Sequence, residues 1–270
     1  MLTVMTWNIR TGGRDADGGT GRLDAVARVV EAHRPDLLAL QELRGFDRDD
    51  HARRFASAIG MRLYPARSLF GQPVAVAVRP PLRVLTVAPL RRPFHHAAQR
   101  VTVATSAGPL TVLAAHLDPY SGTRRLVEAG WLAAAVRRAP GELALLAADL
   151  NTLAPDTDHT ARVAGLPTAY QRRHLRRDGR TVETRATARL AAAGLVDLYA
   201  ARNPGDPGQT VPTTAGGGPE FAGGMRLDYL HATASLARLA TTVTVLRGGD
   251  TEWASDHYPL HTTLTLPLHP

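Results

Sequence analysis

Eight polar residues, spread along the whole sequence, are of types that bind divalent metal ions and carry protons. They are Asn8, Glu42, His116, Asp149, Asn151, Asp228, Asp256 and His257. The set is rich in carboxylate and amide oxygens, and the chain has no cysteine, so thiolate ligands are excluded. Mg²⁺ prefers oxygen ligands, keeps several water molecules and commonly binds through one or two carboxylates. The sequence therefore predicts a site for a hard cation, with Glu42 and Asp256 as its carboxylates.

Hydrolysis of a phosphate ester is a reaction that this set of side chains can catalyse. An attacking water must lose a proton, charge must be stabilised on the phosphorus oxygens, and the departing oxygen must be neutralised. Each motif alone has a simpler explanation, because an Asp-x-Asn sequence is often a turn and an Asp-His pair is often an ion pair or a cap. The prediction therefore rests on the combination of motifs.

Several of these residues lie where short apolar segments end, and those segments predict β-strands. The predicted strands are Leu2–Ile9, Asp36–Gln41, Val74–Val78, Val84–Ala88, Val101–Thr105, Leu110–His116, Leu143–Ala148, Leu227–His231, Thr242–Arg247 and Leu260–Leu266. Strand ends are where α/β proteins usually build their sites. The spacing therefore predicts that the polar residues meet at one rim of a sheet structure.

Two segments have the apolar spacing of helices that pack on a sheet. In the first, Leu23, Val26, Ala27 and Val30 share one helical face, and Pro35 ends the helix. In the second, near Arg124–Arg138, the inward residues are Leu126, Ala129, Ala133 and Val136. Strands in both halves with helices between them predict a single mixed α/β domain over residues 1–270.

Two segments break this regular pattern. Residues Thr152–Gly179 are rich in arginine, and Asn203–Gly224 contains Pro204, Pro207, Pro212 and the run Gly216-Gly217-Gly218. We expect both to be surface loops. Loops of that length are uncommon unless they serve a function, so either could cover a site, and simple disorder is the alternative.

The charge of the chain suits a polyanionic partner. All 32 basic residues are arginine, and the formal net charge is +8. Clustered cations attract phosphates and release counterions, but a coding bias that favours arginine and alanine explains the composition equally well. No window approaches the roughly 18 apolar residues that a membrane span needs, and no export signal is visible at Met1. We expect a cytoplasmic monomer without stable membrane association.

Taken together and in order, the motifs resemble those of the endonuclease/exonuclease/phosphatase family. They are Thr6-Trp7-Asn8-Ile9, Leu40-Gln41-Glu42, His116-Leu117, Ala148-Asp149-Leu150-Asn151, Arg226-Leu227-Asp228-Tyr229 and Ser255-Asp256-His257-Tyr258-Pro259-Leu260. The resemblance covers nearly the whole chain. It departs from the family pattern at Ala148, where a glycine is common, and at Leu150, where an aromatic residue is frequent; neither change affects a predicted catalytic group.

The resemblance implies a deoxyribonuclease-like four-layer α/β sandwich, with two packed mixed β-sheets flanked by helices and the site at one rim. It also implies a cofactor, Mg²⁺, with Mn²⁺ or Ca²⁺ as alternatives. By resemblance, Glu42 is the principal metal ligand, and Asn8 and Asp256 complete or support the metal shell. The ion would polarise the phosphoryl group as a Lewis acid.

The resemblance assigns proton transfer and positioning to the other five residues. His257 is the general base or acid, and Asp228 accepts its other ring N–H. Asp149 and Asn151 position the attacking water and the phosphate. His116 donates a hydrogen bond to a non-bridging phosphate oxygen as charge builds there.

The substrate is less well defined than the reaction, because the family resemblance specifies the bond type only. A nucleic-acid phosphodiesterase ranks first because the chain is basic. A phosphatase or phosphodiesterase acting on a phosphorylated small molecule is the alternative, favoured by the compact length. A sphingomyelinase-like enzyme and a non-catalytic binding protein on the same fold rank lower.

Three further features receive little functional weight. Arg124 and Arg125 follow His116 but belong to a chain rich in arginine. His95 and His96 are taken as surface residues, since neighbours in a strand point to opposite faces and cannot readily share one ion. Trp253 and Tyr258 flank the last motif, and we expect them to serve packing.

Overall fold

The computed structural model describes residues 1–47 and 50–266, and within these ranges it contains twelve strands and eight α-helices, besides three short 3-10 helices. The strands are Leu2–Asn8 (β1), Leu37–Gln41 (β2), Arg62–Ala66 (β3), Val74–Val78 (β4), Val84–Pro89 (β5), Ala97–Thr105 (β6), Gly108–His116 (β7), Leu143–Asp149 (β8), Val196–Asp197 (β9), Asp228–Ala232 (β10), Ala240–Val245 (β11) and Leu260–Leu264 (β12). The helices are Gly21–His33 (α1), His51–Ala58 (α2), Gly122–Arg137 (α3), Thr160–Ala164 (α4), Thr168–His174 (α5), Arg185–Ala192 (α6), Leu198–Arg202 (α7) and Ala234–Ala237 (α8).

The strands form two mixed six-stranded sheets. Their orders are β11-β12-β1-β2-β4-β3 and β5-β6-β7-β8-β10-β9. Each sheet has one parallel pair near its centre, β1 with β2 and β7 with β8. Parallel neighbours need a crossover connection, and α1 and α3 provide it. The carboxyl ends of these four central strands are the ends that carry the polar motifs.

Alternation along the strands explains why the two sheets pack face to face. In β1, Val4 points into a core shared by both sheets, whereas Met5 and Trp7 point outward. Leu145 of β8 and Leu230 of β10 enter the shared core from the other sheet. Burial of these side chains removes apolar surface from water and holds the sheets together.

Helices cover the outer face of each sheet. Val26 and Val30 of α1 pack on the outward residues of the first sheet. Leu132 and Ala133 of α3, with Leu190 of α6, pack on the second. This is the four-layer α/β sandwich that the sequence predicts, so the predicted fold class is confirmed. Across the described ranges, no helix is both long enough and apolar enough to cross a bilayer.

The structure corrects two of the segment predictions. The arginine-rich segment after Thr152 contains helices α4 and α5, not only loop, because Val163 and Leu166 pack with Leu153 in a small separate core. Strand β6 begins at Ala97, four residues before the predicted start, because Ala97–Arg100 pair with β7. The other segment, Asn203–Gly224, is irregular as predicted, apart from a 3-10 turn at Pro219–Phe221 and a β-bridge from Val211 to Met225.

Candidate active site

Strand pairing brings the predicted site residues to one rim of the sandwich. Asn8 pairs with Gln41, the residue before Glu42, in the first sheet. Asp149 pairs with both His116 and Asp228 in the second. The two sheet ends face each other across a cavity of about 560 Å³. Six of the eight residues line it: Glu42, His116, Asp149, Asn151, Asp256 and His257. The other two, Asn8 and Asp228, lie directly behind Glu42 and His257.

Asp228 and His257 form a buried carboxylate–imidazole pair. His257 Nδ1 donates to Asp228 Oδ2 at 2.7 Å, which leaves Nε2 on the side of the cavity. Burial by itself lowers the pKa of His257, but the Asp228 charge and hydrogen bond, together with Asp149, raise it to about 10. The pairing fixes the ring's orientation and the nitrogen that faces the cavity.

Asp149 is the residue at which the two halves of the site meet. Its Oδ2 accepts a hydrogen bond from Asn8 Nδ2 at 3.0 Å and lies 3.4 Å from His116 Nε2 and 3.9 Å from His257 Nε2. Its Oδ1 accepts the Asn151 main-chain N–H at 2.9 Å. Burial, and then the charge of Asp228, raise the pKa of Asp149 to about 7. Asp149 can therefore hold or release a proton near neutral pH.

His116 is buried in a stack of imidazoles. Its ring lies 4.2 Å from that of His96, at an angle of 29°. Burial, followed by the neighbouring imidazoles of His96 and His257, lowers its pKa well below the usual range. His116 is therefore neutral at physiological pH and can donate one N–H without adding charge to the site.

Glu42 offers the most accessible carboxylate of the site. Its Oε1 accepts from Asn8 Nδ2 at 3.2 Å, and its Oε2 accepts from Thr11 N at 2.9 Å and Gln72 Nε2 at 3.1 Å. Its φ of 59° and that of Asn151, 47°, lie in the left-handed region, which side chains other than glycine rarely adopt. Strain of this kind persists where the surroundings force it, and here it aims both side chains at the cavity.

The donor chemistry fits a hard divalent cation. Glu42 and Asp256 supply carboxylate oxygens on the open side, where Asp256 Oδ2 lies 3.4 Å from Arg10 Nε. A second group, Asp149, Asp228 and His257, has ligand atoms within 4.8 Å of one another. That buried group could also bind an ion, but Asp228 already occupies Nδ1 of His257. An ion that must also bind substrate needs open positions, which favours the group around Glu42.

The cavity also contains residues that the sequence alone did not single out as functional. They are Arg44, Phe70, Gln72, His95, His96, Pro119, Tyr120, Arg173, Glu220 and Phe221. The prediction that His95 and His96 are surface residues is wrong. Both precede β6, so the strand rule does not apply; His96 is 8% exposed, and the two rings lie 4.6 Å apart. The position of this histidine pair directly before a strand was the feature of the sequence that could have indicated a place in the site.

Two other minor predictions have clear outcomes. Arg124 and Arg125 are not among the residues that line the cavity, in agreement with the minor functional role expected from the sequence. Arg125 is fully buried and donates to the Asp118 carbonyl at 3.1 Å, so it is a structural residue. Tyr258 is buried with the Arg247 guanidinium 4.2 Å from its ring centre, which confirms a packing role, whereas Trp253 is 40% exposed.

Sequence comparison identifies the family. The model of the endonuclease/exonuclease/phosphatase family matches residues 5–257. The chain belongs to this family. Its members typically use divalent metals, and family membership indicates a phosphoester hydrolase. A search of curated proteins found no match.

Solved structures similar to this family member share its fold. An AP endonuclease from Archaeoglobus fulgidus has a TM-score of 0.72 at 20% identity, covering 98% of this chain and 100% of that one. Truncated Caenorhabditis elegans TDP2 has a TM-score of 0.65 at 21% identity, covering 97% and 96%. A functionally unknown conserved protein from Enterococcus faecalis has a TM-score of 0.70 at 16% identity, covering 99% and 100%.

Proposed function

We propose that this family member is a Mg²⁺-dependent phosphodiesterase that hydrolyses nucleic acid. The observation that carries the proposal is the arrangement of three groups around one cavity. Glu42 and His257 both line the cavity, and Asp228 holds the His257 ring. Asp149 links the two sides, because it lies 3.9 Å from His257 Nε2 and shares the Asn8 amide with Glu42. A metal ligand, a proton carrier and a third polar group that can orient water are the parts that metal-assisted hydrolysis requires.

Each residue has a specific part in this proposal. Glu42, Asp256 and Asn8 would hold the ion, which when bound supplies Lewis-acid polarisation of the phosphoryl oxygens. His257, oriented by Asp228, moves the proton at Nε2. Asp149 and Asn151 orient the attacking water and the phosphate. The neutral His116 donates a hydrogen bond to a non-bridging oxygen as its charge increases.

Nucleic acid is the substrate class that the surroundings favour. Arg44 and Arg173 line the cavity, and the chain carries a formal charge of +8. Cationic side chains beside a phosphoryl site attract a polyanion through its neighbouring phosphates. An AP endonuclease and TDP2 are among the similar structures, which is consistent with this choice.

A phosphatase or phosphodiesterase acting on a small metabolite is the second candidate. A cavity of about 560 Å³ falls within the range of small-molecule pockets, so its size favours this reading. Activity on phosphomonoesters or small diesters, without cleavage of DNA or RNA, would select it.

Two substitutions test the proposed chemistry. We expect Glu42→Gln and His257→Ala each to abolish metal-dependent turnover of a chromogenic phosphodiester while the circular dichroism spectrum stays unchanged. Glu31→Gln is a matched control, because Glu31 lies on α1 and pairs with Arg34 and Arg79 outside the cavity. Undiminished turnover in either active-site variant would refute the role assigned to that residue.

A further inference from the structure

An aromatic surface lies at one edge of the active-site cavity and takes no part in the proposed chemistry. It consists of Phe70, His95 and Tyr120, and we call it the stacking surface. Phe70 lies parallel to His95, with ring centres 4.4 Å apart and an angle of 9°. Tyr120 meets His95 edge-on at 5.7 Å. Phe70 is 58% exposed and Tyr120 61% exposed, so each offers ring surface to a ligand.

The stacking surface is held rigidly from beneath. His95 Nδ1 lies 3.0 Å from Asp118 Oδ2, and the His95 main-chain N–H donates to Glu128 Oε1 at 2.6 Å. Asp118 Oδ1 accepts the main-chain N–H groups of Tyr120 and Ser121, each at 2.7 Å. Glu128 is fully buried and also accepts the Asp118 N–H at 2.8 Å. Two buried carboxylates thus fix the positions of two of the three rings.

Arginines continue from the stacking surface away from the catalytic residues. The Arg173 guanidinium lies 5.3 Å from the centre of the Tyr120 ring. Tyr120 also lines a second cavity of about 380 Å³, which we call the arginine cavity because its lining includes Arg172, Arg176 and Arg177. Since Tyr120 belongs to both cavities, one extended ligand can pass over its ring from the first to the second.

We propose that the stacking surface and the arginine cavity bind single-stranded nucleic acid, with the strand leaving the active site over Tyr120. Aromatic faces beside a cationic groove are the combination that binds unpaired strands, since bases stack on the rings and phosphates contact the cations. The bases of a duplex are stacked on each other and cannot reach these rings without unpairing. This inference rests on the proposed function, because it names the substrate class of the same site.

The observations favour a polynucleotide over the other ligands of aromatic surfaces. A mononucleotide would fill the first cavity and leave the arginine cavity without a role. An uncharged lipid or sugar would have no use for the three arginines that line the arginine cavity. A strand of several nucleotides uses both features, because successive phosphates extend beyond the scissile one.

Binding can be measured without turnover. The Glu42→Gln protein, in EDTA, is titrated against a fluorescein-labelled 12-nucleotide strand and against the duplex of the same sequence, with anisotropy as the readout. We expect the single strand to bind at least tenfold more tightly than the duplex. Tyr120→Ala and Phe70→Ala should each weaken single-strand binding by about fivefold to 150-fold. Tyr120→Phe, which keeps the ring, should retain most of the affinity.

The arginine cavity is tested through the salt dependence of the same binding. Arg176→Gln with Arg177→Gln should reduce the slope of log affinity against log salt by about 1.4. The matched control, Arg137→Gln with Arg138→Gln at the other end of α3, should leave the slope unchanged.

Two results would overturn the inference: equal affinity for duplex and single strand, or full affinity in Tyr120→Ala. If the wild-type protein hydrolyses no phosphodiester while Tyr120-dependent binding persists, the proposed hydrolysis fails, and the binding of single strands at the stacking surface stands without it.

Discussion

At the scale of single residues, the site separates the proton affinities of neighbouring groups. Burial would push every charge in the cavity towards neutrality, but the Asp228 carboxylate reverses this effect for His257, whose pKa rises to about 10. The pKa of Asp149 rises to about 7, and the pKa of His116 falls well below its usual value. Environments that push pKa values apart assign different acid–base roles to similar side chains. The site therefore holds one charged imidazole, one neutral imidazole and one carboxylate of intermediate proton affinity.

The first prediction concerns the Asp228–His257 pair. Asp228→Asn keeps the shape of the side chain but removes the charge that orients and stabilises the imidazolium. We expect kcat for a chromogenic phosphodiester to fall by about 10²- to 10⁴-fold, the usual contribution of a positioned acid or base. Asp24→Asn, an exposed position on α1, is the control and should keep its turnover. A kcat for Asp228→Asn within twofold of the wild type would contradict the role of the pair.

The second prediction concerns Gln72, which belongs to none of the motifs found in the sequence. Its amide holds Glu42 Oε2 at 3.1 Å and is 8% exposed. Gln72→Ala should therefore weaken Mg²⁺ affinity by about 10- to 100-fold, as loss of a residue that orients a ligand does. Activity measured against Mg²⁺ concentration should recover at high metal. Loss of activity that excess Mg²⁺ does not restore would show that Gln72 does not act through the metal site.

At the scale of elements, sequence reasoning placed the strand-end residues correctly for a physical reason. Asn8, His116 and Asp149 each end a strand that is buried on both faces, and such strands have clear apolar runs. Loop residues such as Phe70 and Tyr120 carry no periodic signal. Their positions depend on long-range contacts, such as the Glu128 bonds to the His95 and Asp118 main chains, which no local pattern encodes.

The third prediction tests how β1 supports the site. Trp7 is fully buried, and its indole N–H donates to the His257 carbonyl at 2.8 Å. Trp7→Phe should lower the free energy of unfolding by about 1 to 3 kcal/mol, because the carbonyl loses its buried partner. Urea unfolding measures the change, and Trp253→Phe at an exposed position should alter stability by less than about 0.5 kcal/mol. Equal stability changes in the two variants would contradict the supporting role of Trp7.

At the scale of the whole molecule, the site depends on the packing of the two sheets. Glu42 belongs to one sheet end and Asp149 to the other, so neither half contains a complete site. The four-layer arrangement was predictable because the family motifs span nearly the whole chain. Helices α4 and α5 were not, because arginines mask their few apolar contacts. A single catalytic domain over residues 1–270, the monomeric state and the cytoplasmic location stay predictions.

The fourth prediction concerns the stability of the fold against acid. Burial lowers the pKa of His231 to about 4 even though Asp197 opposes the shift, and Arg226 adds to it. The unfolded chain therefore binds a proton near pH 6.5 that the folded chain rejects, so stability is present above that pH and is lost as the pH falls towards 4.

Through this histidine, lowering the pH from 7 to 4.5 should reduce the free energy of unfolding by about 2 to 3 kcal/mol. His231→Phe keeps a ring stacked on Tyr229. Over the same pH range, its free energy of unfolding should fall by less than that of the wild type, and the difference should equal this amount. Urea unfolding at several pH values measures the difference. Parallel pH profiles for the two proteins would contradict the prediction.

The central claim is metal-dependent hydrolysis of a phosphodiester at this cavity. The most direct measurement incubates the purified protein with Mg²⁺, Mn²⁺ or EDTA against single-stranded DNA, plasmid DNA, RNA, a chromogenic diester and several phosphomonoesters. The account predicts cleavage of nucleic acid that requires the metal, stops in EDTA and is lost in Glu42→Gln and His257→Ala. Cleavage that persists in EDTA, or no hydrolysis of any phosphodiester with either metal, would contradict it.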